Sequence, residues 1–200
     1  YTLWHTLSLH DALPICIKTF TGEQWLTVPV LSKGLKSQSI KDVVINTSVP
    51  WQKKHIKTIM QNYSKAPFFE SYADDFFEIM NRPWKHLIDL DIELIVWILK
   101  QLNIKTEIYL SSDINVSGSK VERLINIIHS LGGNNFYEGA AGKDYIDTSI
   151  FEHSGISVTF QDYKHPVYPQ LHGDFLSYLS IIDLLFNCGA ESLNILSTNI

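Results

Sequence analysis

This 200-residue sequence predicts an α/β fold: a mainly parallel sheet flanked by helices, with a helical cap. Three observations lead there. After Thr106, short β-branched or aromatic runs alternate with turn residues and helical patterns, the order expected of a parallel sheet with crossover helices. Before Thr106, three helical patterns follow one another with no strand between them, as a cap would. A composition of 45% apolar and 18% charged residues suits one domain with a full core.

The elements follow in order. Trp25–Val30 and Val43–Ile45 are rich in β-branched and aromatic residues and read as short strands. Ser48 and Pro50 introduce a helix over Trp51–Ser64. Trp51, His55, Ile59 and Tyr63 form one stripe on it, while Lys53, Lys54 and Lys57 face elsewhere. Pro67 ends that helix. A second covers Phe69–Met80 and stops before Pro83. The third, Leu87–Leu102, is apolar nearly all round and is expected between layers.

Thr106–Leu110 reads as a strand with Ser111, Ser112 and Asp113 at its carboxyl end. Gly118 precedes a helix over Lys120–Leu131, which Gly132 and Gly133 stop. Asn135–Tyr137 is a strand before the Gly139–Gly142 loop. Phe151–Ser154 is helical, Val158–Phe160 is a strand, and Pro166–Pro169 is a rigid connector. In the last helical pattern, Phe175, Leu176, Leu179, Ile182, Leu185 and Phe186 recur at spacings of three and four. No internal repeat or low-complexity tract interrupts this order.

Composition excludes several classes. A net charge of −5 gives no electrostatic case for nucleic-acid binding. The longest apolar run, Leu94–Leu99, is bracketed by Asp89, Asp91, Glu93 and Lys100 and is too short to span a bilayer. Of the two cysteines, Cys16 lies at the junction with an N-terminal stretch set aside below, which leaves Cys188; one cysteine makes no intrachain disulfide and fits a reducing, cytoplasmic setting. No basic stretch followed by an apolar core marks a signal peptide.

Three constellations could carry chemistry. Ser111 and Ser112 sit at a strand's carboxyl end, ahead of Lys120 and Arg123, where open α/β sheets bind ligands. Lys120 and Arg123 stand i, i+3, so both can meet one phosphate or carboxylate at a helix start. The bland reading makes the serines turn caps and the cations solvated. No Walker-type sequence is present. Second, Gly139 and Gly142 permit close backbone approach, with Lys143 and Tyr145 as cation and phenol.

Third, Pro166 and Pro169 stiffen the backbone around His165, Tyr168 and Gln170. His165 is the general-base candidate, because imidazole exchanges protons near neutral pH. Asp183 and Asn187, i, i+4 among apolar neighbours, need partners. They read as a buried network orienting His165 or the Gln170 loop, with direct catalysis by Asp183 as the alternative. His165, Tyr168 and Asp183 are therefore the candidate catalytic residues. His165 and His172 are seven apart across Pro166 and Pro169, and no third His or Cys completes a zinc spacing, so no metal is expected. A Gly-x-Ser-x-Gly elbow is absent.

Five stretches occur together: GEQWLTVPV (Gly22–Val30), WQKKHIKTIMQNYSKAPFF (Trp51–Phe69), the Ser111–Leu124 segment, GAAGKDYID (Gly139–Asp147) and HPVYPQ (His165–Gln170). In that order they resemble the WbqC-like family of bacterial surface-polysaccharide proteins, and the resemblance runs from Ile17 to about Leu196. Family members often have Ser-Gly where this chain has Glu138–Gly139, which weakens any role carried over to Glu138. Nothing resembling the family precedes Ile17. Thr6–Ile15 reads TLSLHDALPI, like an in-frame translation of a sequencing adapter, so residues 1–16 are set aside as non-native and 17–200 taken as a single domain. Relatives usually carry a further N-terminal segment with a Gln-Pro…Pro-Trp-x-Gly-Tyr motif. By that likeness this chain is a fragment lacking a first strand and loop.

The resemblance implies work on O-antigen or a related polysaccharide. The leading expectation is transfer of an acyl or aminoacyl group to a nucleotide-linked amino sugar. Lys120, Arg123 and Lys143 would hold phosphate, Tyr168 and Gln170 would position the sugar, and ATP or an activated acyl donor would serve as cosubstrate. A glycosyltransferase and a non-catalytic sugar-nucleotide-binding or scaffold protein are the alternatives.

Overall fold

The structure, a computed structural model, describes residues 15–31 and 38–198. Most of the chain's core lies in one compact unit, formed by 15–105 together with 165–198; Thr106–Lys164 forms a second. Sequence alone suggested no such division.

The larger unit opens with a hairpin, β1 (Ile15–Thr19) and β2 (Gly22–Leu26), antiparallel with Thr19 opposite Gly22. Its two-residue turn is closed by the Thr19 hydroxyl, which donates to Gly22 O at 2.8 Å, and Gly22, the first residue after the turn, takes a positive φ (115°) that favours glycine. Neighbours on a strand face opposite sides. Ile17 and Lys18 are nonetheless both buried, so β1 is covered on both faces. Ile15 and Cys16, set aside above with residues 1–14, are part of β1, and Cys16 is buried. Residues 1–14 lie outside the described residues, and so does the rest of that reading.

Three helices follow: α1 (Trp51–Tyr63), α2 (Phe69–Asn81) and α3 (Leu87–Gln101). The expected stripe on α1 is the buried face: Trp51, His55, Ile59 and Tyr63 all point inward. Phe69 and Phe76 of α2 meet Phe186, and Trp97 of α3 packs against Phe76. α3 is not enclosed between layers as expected. Only Leu87, Leu90 and Trp97 are buried, and Ile95 and Val96 are each 48% exposed. Val43–Ile45 does not form a full strand. It is held by single bridges, Val30 to Ile45 and Val44 to His86.

The smaller unit contains α4 (Lys120–Ser130), β3 (Asn135–Glu138), α5 (Thr148–His153) and β4 (Ser157–Phe160). β3 and β4 pair in parallel, Asn135 opposite Ser157, over a core of Ile125, Phe136, Phe151 and Ile156. The protein is therefore a mixed helix-and-strand fold with small sheets. A mainly parallel sheet is not what the described strands form: one pair is antiparallel and one parallel. Thr106–Leu110 is the element missing from that scheme. Its residues have strand-forming side chains, yet Ile108 and Tyr109 are exposed and the segment pairs with no strand among the described residues. Strand propensity without a partner surface does not make a strand.

The chain closes on the larger unit with α6 (Ile181–Cys188) and α7 (Ser192–Ser197). The helix expected from Phe175 begins only at Ile181. Before it the backbone is irregular, with His172 at φ 64° and Tyr178 at φ 60°. Gly189 ends α6 at φ 57°, where a Cβ would come within 2.5 Å of the Phe68 ring, so glycine is required twice over. Both cysteines are free, and no described helix is long and apolar enough to cross a membrane.

Candidate functional site

The irregular segment 165–180 is anchored from below by two polar clusters. In the first, Asp183, fully buried on α6, accepts from Tyr63 Oη at 2.8 Å and from Tyr168 Oη at 2.9 Å. Tyr63 Oη in turn accepts the Lys18 backbone N–H at 2.8 Å. Asn187 donates to the Asp183 carbonyl at 2.7 Å, one helical turn back. Burial pushes the Asp183 carboxyl above the usual carboxylate range, and the two hydroxyls and Lys18 offset part of that rise. Burial, and then the Asp183 charge, push Tyr63 and Tyr168 far above the ordinary phenol value. Both phenols therefore act as fixed donors, not as acids.

The second cluster surrounds the Lys18 ammonium, 1% exposed. A buried charge is tolerated only when its donors are satisfied. Lys18 Nζ donates to Gln170 Oε1 (3.1 Å), Gly173 O (3.5 Å) and Asp174 O. Gln170 also accepts the Leu176 N–H at 2.9 Å and donates to Leu176 O at 2.8 Å. His172 Nε2 meets Asn62 O at 2.7 Å. One lysine and one glutamine thus fix the course of seven consecutive residues, 170–176.

Above this base, His165 is half-buried and ringed by aromatics. Its imidazole lies 4.9 Å from the Tyr178 ring, 5.7 Å from Phe175 and 6.1 Å from Tyr168. His165 Nδ1 is 2.8 Å from Pro166 O, a carbonyl that can only accept, so Nδ1 carries a proton. Val167 and Tyr178, 78% and 72% exposed, give this surface apolar and phenolic character. Backbone strain at His172 and Tyr178 within a long irregular segment is typical of sites held for function.

The sequence-predicted residues fall into two groups. His165, Tyr168, Gln170, Asp183 and Asn187 come together in the larger unit. Tyr168 and Asp183 are both buried and hydrogen-bonded to each other. Ser111, Ser112, Lys120, Arg123, Gly139, Lys143 and Tyr145 belong to the smaller unit. There Arg123 turns back on its own loop, donating to Val116 O (2.7 Å) and Ser111 O (2.9 Å), while Lys120 is exposed. Ser112 donates to Asp113 at 3.1 Å. Gly139 leaves open space where a Cβ would be; Gly142 is the glycine its surroundings require, because a Cβ there would lie 2.5 Å from the Glu138 side chain. Lys143 is exposed and Tyr145 half-exposed.

Sequence reasoning missed Lys18 and the partner role of Tyr63. A lysine between Ile17 and Thr19 in a strand, with apolar residues on the same run, was the available signal. It also passed over the Asp-x-Asp spelling at Asp89–Asp91. Both carboxylates lie on α3, where i, i+2 residues do not face each other.

The family comparison agrees with the motifs. A model of the WbqC-like protein family matches residues 15–195. This chain belongs to the WbqC-like family. Ile15 and Cys16, inside β1, fall within the matched span. A relative within reach is the uncharacterized protein Rv1507c of Mycobacterium tuberculosis, 36% identical over 178 residues, a stretch covering 88% of this chain and 77% of that protein. No solved structure matches.

Proposed function

We propose that this WbqC-like protein works in the cytoplasm on bacterial surface polysaccharide, transferring an acyl or aminoacyl group to the amine of a nucleotide-linked amino sugar. The observation that carries the reading is His165: a half-buried imidazole oriented by its Nδ1 contact with Pro166 O, set among aromatic rings on a segment clamped by Lys18 and Gln170. In the reaction the sugar amine attacks the acyl carbon and forms a C–N bond. His165 accepts the amine proton as the bond from acyl carbon to leaving group breaks, and the leaving group then takes that proton. Tyr168 and Asp183 act through His165 and the Gln170 segment, not on substrate. ATP or an activated acyl donor serves as cosubstrate.

A non-catalytic sugar-nucleotide-binding protein is the second reading, favoured by the burial of two of the three candidate catalytic groups. Thermal-shift measurements against nucleotide-linked amino sugars, with and without ATP, separate the two. The transferase reading expects a shift with the amino sugar that His165→Ala preserves while turnover is lost. Absence of any shift from folded protein counts against both.

A further inference from the structure

A second concave site lies in the larger unit and uses none of the residues of segment 165–180. It is a cleft of about 470 Å³, a size in the range of small-molecule sites. Its walls are the Val44–Thr47 stretch, the first turn of α1 and Pro83–Lys85. Backbone bonds fix those walls: Ile45 N donates to Lys85 O at 2.9 Å, Leu87 N to Val43 O at 2.9 Å and Asn46 N to Pro29 O at 2.8 Å.

The lining combines two kinds of surface. Trp51 and Trp84 supply carbon. Trp84 is half-buried, and its indole N–H is committed to Ile79 O at 2.8 Å, so the ring offers the cleft apolar surface and little else. Gln52, Thr47 and Lys85 supply polar atoms. Both Gln52 amide hydrogens are taken, by Met80 O (2.7 Å) and Arg82 O (2.8 Å). The amide is thereby oriented, and Oε1 has no partner among the described residues, so toward the cleft it can only accept. Lys85, exposed and with no ion-pair partner among the described residues, can only donate.

We infer that this cleft is a saccharide subsite, taking a pyranose ring against Trp84 with one ring hydroxyl donating to Gln52 Oε1 and a ring oxygen or acidic substituent accepting from Lys85. A pyranose has a C–H face and a rim of groups that both donate and accept, which matches an aromatic wall with an obligate acceptor and an obligate donor beside it. A nucleobase would also stack. An amide reads a base through a donor and an acceptor together, however, and the Gln52 donors are already engaged. Saccharide binding here stands apart from the His165 reading: it needs no turnover and none of its residues.

The test is saturation-transfer NMR on the full chain with free glucose, N-acetylglucosamine and glucuronic acid as probes, and uridine and adenosine as comparators. The expected result is transfer to at least one monosaccharide, weakened about tenfold or more in Trp84→Ala. Lys85→Ala, an exposed change that should not disturb folding, is expected to weaken glucuronic acid most; Thr47→Val provides a second exposed variant should Trp84→Ala fail to fold. No transfer to any sugar, transfer to the nucleosides alone, or sugar binding untouched by all folded variants would overturn the inference.

Discussion

Tyr63 joins Asp183 to the first strand, although 120 residues separate the two in sequence: its hydroxyl donates to the Asp183 carboxylate while accepting the Lys18 N–H, each at 2.8 Å. Removing that oxygen leaves a buried acceptor and a buried donor unsatisfied at once. Each such group costs about 1–3 kcal/mol. Tyr63→Phe is therefore expected to destabilise the protein by about 2–6 kcal/mol in urea unfolding. Tyr168→Phe breaks one bond to the same carboxylate and should cost about half as much. Equal losses in the two variants would contradict this division of roles.

Lys18 is expected to govern the order of the Gln170–Leu176 segment rather than the stability of the hairpin alone. Lys18→Met keeps the apolar stem and removes three donors to that segment. Hydrogen exchange at the Leu176 amide, which rests on Gln170, should rise by at least about tenfold, and turnover should fall with it. Unchanged protection at Leu176 would mean that Gln170 holds the segment unaided.

Asp91, half-buried on α3, has its carboxyl pushed up to about 7 by burial. The folded state therefore binds this proton more tightly than the unfolded chain, where a carboxyl titrates near about 4. Its contribution to stability is present in full below that unfolded value and is lost as pH rises through about 7. Asp91→Asn should remove this slope, so the variant gains on the wild type as pH rises from 4 to 8. A difference between the two that does not change with pH would refute the shift.

The helices were legible because their signals are local. Trp51, His55, Ile59 and Tyr63 recur at helical spacing, and Pro67 and Pro83 bracket α2, so α1 to α3 fall within a residue or so of expectation. Thr106–Leu110 failed because a strand needs a partner that composition does not reveal. The Phe175–Ser180 part of the last helix failed because Gln170 and Lys18 pull that stretch into an irregular path against its own periodicity. Within the site, His165 and the burial of Asp183 could be read from the proline frame and the apolar flanks. Lys18 left a local signal, a lysine within an apolar strand run, but its side-chain partners lie more than 150 residues away and could not be read from it.

The most direct measurement is mass spectrometry of nucleotide-linked amino sugars incubated with the protein, an acyl or aminoacyl donor and ATP, with wild type and His165→Ala side by side. The reading predicts a product heavier by one acyl group, formed at least about 100-fold more slowly by His165→Ala although the variant still binds the acceptor. Binding of the sugar by wild type with no mass gain from any donor, or equal turnover by the variant, would contradict it.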